Sequence, residues 1–257
     1  MLRTKKRFAL LDPTPGDNNR LVAGAVHPKL HPMTEPYVPI PYTALPDLSD
    51  DERIARARAF RELMATRRSC RMFASKPVPR DVIEEAVLAA GTAPSGANHQ
   101  PWHFAIVSTP ELKHRIRLGA EEEEQSFYAG KAGQEWLEAL APLGTDEHKD
   151  YLDVAPWLIV VFGQRRGGTE PGETKQNYYV TESVGIACGL MLAALHSAGL
   201  ATLTHTPSPM GFLRELCGRP PDEKPLMVIV AGLPADDATI PAHALRKNPL
   251  EQIASWL

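Results

Sequence analysis

The chain has 257 residues, with 24 prolines, three cysteines, a formal net charge of -3 and an isoelectric point near 6.3. At 43% hydrophobic and 23% charged it sits near the globular averages of about 45–50% and about 25%, which excludes a disordered, collagenous or disulfide-scaffold protein. The acidic balance excludes the basic footprint of a nucleic-acid binder, and Cys70, Cys188 and Cys217 form no Cys-x-x-Cys pair, which argues against a structural zinc site and fits a reducing, cytoplasmic setting.

Eight prolines (Pro13, Pro15, Pro28, Pro32, Pro36, Pro39, Pro41 and Pro46) fall in the first fifty residues and predict an extended arm over residues 1–49, ahead of one domain over 50–257. Arg3, Lys5 and Lys6 are followed by too few apolar residues for a secretory signal. Ser49 or Asp50 can cap a helix that runs to about Thr66. Val82, Ile83, Ala86, Val87 and Ala90 recur at helical spacing, with Gly91 to end the helix. A loop over 92–101 leads to a strand over 102–107, and Pro110 opens a helix that continues through the acidic run 121–124. The near-continuous apolar run 156–162 reads as a central strand covered on both faces. After a Gly-rich segment comes a helix from about Asn177 to Gly199, apolar almost all round over 184–195. Its composition requires burial on every side by its own subunit or a partner, and the run is too short for a membrane span of ~18 residues or more. Strands over 201–206 and 226–231 complete a layered arrangement of helices and strands.

Arg67-Arg68-Ser69-Cys70-Arg71 places three guanidinium groups at the predicted end of a helix, either as cations that complement its dipole or as a phosphate clamp. With no P-loop or Gly-x-Gly-x-x-Gly motif, a phosphate would have to be held by side chains. Pro94-Ser95-Gly96-Ala97 is turn chemistry directly before a strand, where the Ala97 N–H could be offered to a ligand. Glu121, Glu122 and Glu123 read as a solvated helix face. Glu124 shares a face with Tyr128 four residues on, and with Lys149 they could grip an α-amino acid, the carboxylate on its ammonium and the phenol and ammonium on its carboxylate. Thr202, Thr204 and Thr206 share one strand face and His205 the other. The histidines form no convincing metal site.

In order, Arg-Arg-Ser-x-Arg, the run Ala-Gly-Thr-Ala-Pro-Ser-Gly-Ala over 90–97, the Glu run with Tyr128, and Thr-x-Thr-His-Thr-Pro resemble the iodotyrosine deiodinases, a branch of the nitroreductase-like flavoproteins. The likeness covers roughly residues 50–257, and Glu124, Tyr128 and Lys149 are its discriminating part. It implies an α+β, three-layer fold with a central mixed sheet flanked by helices, in a domain-swapped homodimer with FMN at the interface. Arg67, Arg68, Ser69, Cys70 and Arg71 would hold FMN. Pro94, Ser95 and Gly96 would approach it from the neighbouring subunit, Thr204 would hydrogen-bond flavin N5 beside His205 and Thr206, and Arg246 or Lys247 would meet the phosphate. Ala97 would donate its N–H to the substrate phenolate while Glu124, Tyr128 and Lys149 close over the zwitterion.

The implied activity is reductive dehalogenation of a halotyrosine, fed by NAD(P)H or a separate reductase. The rivals are a nitro- or quinone reductase on the same fold and a flavin-dependent amino-acid sensor. Animal members look membrane-anchored; the arm here suggests a soluble relative. His205 stands where the family commonly has a third hydroxyl residue.

Overall fold

The computed structural model describes residues 37–131, 133–170 and 172–257. The chain divides into two units, Met1–Leu48 and Ser49–Leu257. Of the first, residues 37–48 form neither helix nor strand, and Pro13, Pro15, Pro28, Pro32 and Pro36 lie outside the described residues.

In the second unit Ser49, not Asp50, caps α1 (Asp50–Thr66). Its hydroxyl accepts from the Glu52 N–H at 3.3 Å and the Glu52 carboxylate accepts from the Ser49 N–H at 2.8 Å, a reciprocal capping box. The helix buries none of its own residues within the protomer. After α2 (Arg80–Gly91) the chain forms β1 (Trp102–Val107), α3 (Pro110–Ser126), α4 (Gln134–Leu140), α5 (Tyr151–Val154) and β2 (Trp157–Gln164). The Gly-rich segment contains a two-residue ladder of β3 (Arg166–Gly167) and β4 (Lys175–Gln176). Then come α6 (Val180–Ser197), β5 (Ala201–His205), α7 (Gly211–Leu216), β6 (Glu223–Gly232) and α8 (Leu250–Ile253).

The sheet order is β1-β2-β6-β5, with every neighbouring pair antiparallel. Helices between strands therefore do not make the sheet parallel here. The β1 to β2 connection leaves and rejoins the same end of the sheet, because Val107 sits opposite Leu158. Strands β2 and β5 flank β6 and so run parallel to each other, with α6 as the crossover. Among the described residues the one directly parallel pairing is the isolated bridge between Ser69 and Thr202, and the mixed character expected of the sheet rests on it.

Strand periodicity explains the three layers, since successive side chains point to opposite faces. On β2, Ile159 and Val161 pack with α2 and α6, whereas Leu158, Val160 and Phe162 pack with α3, α5 and α7; β6 divides Ile229 and Ala231 from Val228 and Val230 in the same way. A strand stretch that serves two cores must be apolar at every position, as β2 is from Trp157 to Phe162.

Helix α6 is less covered than its composition requires. Val184, Ala187, Cys188, Met191 and Leu195 are buried, but Gly185, Ile186, Gly189 and Leu190 form an open stripe, with Ile186 47% and Leu190 38% exposed. By length and composition alone it could also cross a bilayer, but its other face is part of the sheet's core. It begins at Val180, three residues after the expected start, because Tyr179 is left-handed (φ 51°). Gly199, with φ 80°, ends it as expected.

Candidate active site

Beyond α1 the backbone becomes extended, and the run 67–71 crosses the free edge of β5, where the Cys70 N–H donates to the Thr202 carbonyl at 3.0 Å. Arg67 is the C-cap of α1, at the helix end as expected, and the residues beyond it lie along a sheet edge. Alternation puts Arg67, Ser69 and Arg71 on one side and Arg68 and Cys70 on the other. Arg71 lines a cavity of about 430 Å³, large enough for a ligand, while Arg68 and Cys70 line a different one of about 420 Å³. Arg68 also donates through Nη1 to the carbonyls of Ala65 at 2.7 Å and Arg67 at 2.6 Å, closing the end of α1, and the Cys70 thiol donates to the Met72 carbonyl at 3.2 Å. The five-residue clamp is thus divided.

The first cavity joins Arg71 to Glu124, Tyr128, Lys149, Thr204, His205 and Thr206. Helix α3 supplies Glu124, and a π-helical turn over Phe127–Lys131 carries Tyr128 to the same wall. Lys149, 4% exposed, places Nζ 3.4 Å from Glu124 Oε2 and 5.8 Å from the centre of the Tyr128 ring, and it donates to the Asp146 carbonyl. The Tyr128 hydroxyl donates to Thr145 at 3.2 Å. The opposite charges of Glu124 and Lys149 thus neutralise each other on the cavity wall.

Glu121 is not the solvated residue expected of an acidic run. Its Oε1 accepts the Lys149 N–H at 2.7 Å and Arg117 Nε at 2.9 Å, and Arg117 also binds Asp153 at 3.0 Å and Asp150. Burial works against the Arg117 charge, but the surrounding carboxylates outweigh it and hold its pKa above the ordinary value. One turn back, Lys113 Nζ donates to the carbonyls of Asp153 and Ala155, both at 2.8 Å, and ties α3 to the end of α5. The four-residue spacing of Lys113, Arg117 and Glu121 was the signal for this face. Arg117→Met should cost roughly 3 kcal/mol in denaturant unfolding, because it leaves two partly buried carboxylates, Glu121 and Asp153, without their cation.

His205 is 7% exposed and shares a face with Leu203, against α5. The Tyr151 hydroxyl lies 3.4 Å from its Nδ1, and its Nε2 is buried with no partner among the described residues. Burial raises the Tyr151 pKa and keeps the phenol protonated, and the tautomer of the imidazole sets which of the two groups donates. Burial first, then the charges of Lys149 and Arg71, lower the His205 pKa to about 3. The unfolded chain binds this proton near pH 6.5 and the folded one refuses it until about pH 3, so stability is complete above pH 6.5 and falls as the pH drops. His205→Gln should remove that dependence, on the order of 4 kcal/mol between pH 6.5 and 3, read as the difference between wild-type and variant unfolding free energies across pH.

The remaining expected residues do not line this cavity in the same protomer. Ser95, Gly96 and Ala97 sit at a 3₁₀ turn (Gly96–Asn98) where Ala97, Asn98 and Gln100 all have positive φ, at 52°, 55° and 50°. Asn98 and His99 close the turn onto the carbonyls of Ser95 and Gly96, both at 3.1 Å, which leaves the Ala97 amide out of these bonds. Arg246 and Lys247 are exposed beyond the short turn Ala242–Leu245.

The polar set suits an anionic, planar cofactor: Arg67 and Arg71 can meet a phosphate bidentately, Thr204 on β5 and Thr206 just beyond it offer exposed hydroxyls, and His205 holds a buried ring nitrogen without a partner among the described residues. Fold and cavity together define a nitroreductase-type protein. A model of the nitroreductase family matches residues 64–233. The iodotyrosine deiodinase of Haliscomenobacter hydrossis is 47% identical over 202 residues, covering 79% of this chain and 90% of that one. Iodotyrosine deiodinase 1 of Homo sapiens is 44% identical over 218 residues, covering 84% and 74%. The crystal structure of oxidized iodotyrosine deiodinase bound to FMN and 3-iodo-L-tyrosine superposes with a TM-score of 0.61 at 30% identity, covering 69% of this chain and 90% of that one. The chain belongs to the nitroreductase family, in its iodotyrosine deiodinase branch.

Proposed function

We propose that the protein is an FMN-dependent reductive dehalogenase of halotyrosines that works as a homodimer. The observation that carries this reading is the single cavity joining Glu124, Tyr128 and Lys149 to Arg71, Thr204 and Thr206. Reduced FMN, when bound, supplies the two electrons that, with one proton, replace the ring halogen by hydrogen and release halide. Arg67 and Arg71 hold its phosphate, with Ser69 between them on the same side of the edge run. Thr204 would offer its hydroxyl to flavin N5, with Thr206 beside it on the same cavity wall.

The substrate's ammonium takes the Glu124 carboxylate from Lys149, and its carboxylate takes Lys149 and the Tyr128 hydroxyl. Each buried charge exchanges one partner for another, so none is left unpaired at any stage. This remote binding energy closes the lid, excludes water and seats the phenol ring. Ortho halogens acidify the phenol, and the Ala97 N–H of the neighbouring protomer donates to the resulting phenolate as a preorganised dipole. The open stripe of α6 and a 17-residue α1 that buries nothing within the protomer support the dimer. NAD(P)H or a separate reductase recharges the flavin.

The test is a single turnover without oxygen: reduced protein should release one equivalent of iodide per flavin from 3-iodotyrosine. No halide from iodo-, bromo- or chlorotyrosine, together with rapid turnover of nitroaromatics, would make it a nitroreductase instead.

A further inference from the structure

The turn that carries Ala97 is held in a conformation its sequence does not favour. Three successive non-glycine positions of positive φ, interrupted only by His99, are disfavoured by contact of each Cβ with its own backbone. Such a conformation persists only where the surroundings over-determine it, and it concentrates at functional sites. What over-determines it here is a chain of buried and half-buried polar groups from the end of the sheet. His99 Nδ1 donates to Asn177 Oδ1 at 2.9 Å, and Asn177 Nδ2 donates to the Gln164 carbonyl at 2.9 Å, which also fixes the orientation of the Asn177 amide. Gln164 is the last residue of β2, and its Nε2 donates to Glu223 Oε1 at 3.0 Å. Glu223, 3% exposed at the start of β6, is gripped by Arg219 through Nε at 2.7 Å and Nη2 at 2.6 Å.

Asn177 is itself 6% exposed, and its N–H donates to the Arg165 carbonyl at 3.1 Å. The following residues wall the turn from the other side, where a Cβ added at Gly96 would come within 2.9 Å of the Tyr178 carbonyl oxygen. Inside the turn, Ser95 Oγ accepts the Gln100 N–H at 2.9 Å. Ala97 itself remains exposed, with its amide outside the bonds that close the turn.

We propose that Asn177, acting through His99, is a positioning residue that locks residues 95–100 against the end of the sheet and so aims the Ala97 N–H at the substrate phenolate. The proposal rests on the dehalogenase reading for the identity of the ligand, but not for the rigidity of the turn. Asn177 never touches substrate. Its effect passes along His99 to the backbone, so it controls phenolate binding and not zwitterion recognition.

The test uses FMN-loaded full-length protein titrated with 3-iodotyrosine across pH, read by flavin fluorescence and by the ultraviolet band of the bound phenolate. Wild type is expected to bind phenolate below the pH at which the free phenol ionises. Asn177→Leu should bind it about tenfold more weakly, with ligand ionisation moved back towards its value in water, because a misaimed donor loses most of its electrostatic value. Asn177→Asp keeps the acceptor for His99 but sets a carboxylate oxygen against the Gln164 carbonyl, so it should recover the effect only in part. In ligand-free protein, amide exchange at Asn98 and His99, whose N–H groups close the turn, should be about tenfold faster in Asn177→Leu than in wild type, since the turn opens locally.

Where Asn177→Leu does not fold, His99→Leu carries the same expectations without touching the sheet-end network. A folded variant with wild-type ligand ionisation and wild-type exchange overturns the proposal. A wild-type protein that binds no iodotyrosine sinks the dehalogenase reading instead, and exchange at Asn98 and His99 still decides whether Asn177 locks the turn.

Discussion

Glu124→Gln should weaken 3-iodotyrosine binding about a hundredfold, while 2-iodophenol, which has the ring and no zwitterion, changes by no more than about threefold. The asymmetry follows from the Glu124–Lys149 pair, 3.4 Å apart with side chains 16% and 6% exposed. In wild type the zwitterion replaces one ion pair by two. In the variant the ammonium meets a neutral amide, while the ligand carboxylate still meets Lys149, so one of two buried charge contacts is lost. A contact of this kind costs roughly 3 kcal/mol when one partner is truncated, which is about two decades in affinity. Flavin retention should not change, because Arg67 and Arg71 lie on another element. Titration of the oxidised flavin with both ligands checks the result, and an equal loss for both would mean that Glu124 only shapes the cavity.

The residues of this lid were legible in the sequence because the spacing of Glu124 and Tyr128 survives even where the helix widens into a π-turn. Lys149 was legible only through the family pattern, since nothing local marks a lysine twenty-one residues on. Strand β2 was legible for a simple reason: it faces two cores, and no polar residue interrupts it from Trp157 to Phe162. The orientation of the arginines was not legible. The pattern Arg67 to Arg71 reads equally well on a helix or on an extended run, and only the pairing of Ser69 and Cys70 with Thr202 decides that Arg68 turns away. Nor does alanine announce a left-handed backbone, so the turn at Ala97 could be named but its geometry could not. Helices α5 and α7 are too short, at four and six residues, to show a periodicity.

Helix α6 carries the other large effect. Ile186→Glu should convert the proposed dimer to a monomer and strip it of FMN, because the open stripe of Gly185, Ile186, Gly189 and Leu190 has no apolar partner among the described residues of the protomer. Two glycines one turn apart let a neighbouring backbone approach closely, and no atom lies within 4 Å of a Cβ built at either position. Fully burying an isoleucine contributes about 1.5–3 kcal/mol, and an unpaired carboxylate buried in its place costs several more. In a two-fold interface the substitution occurs twice, so the dimer constant should rise by at least about a thousandfold. The flavin follows the interface because residues 95–97 do not reach the cavity of their own protomer, which leaves Arg71, Thr204 and Thr206 to hold one side of the ring alone. Sedimentation equilibrium and the ratio of flavin to protein absorbance measure the two losses separately. A stable dimer with full flavin content would place the partner on another surface, and a monomer with full flavin content would mean that each protomer builds its site without a neighbour.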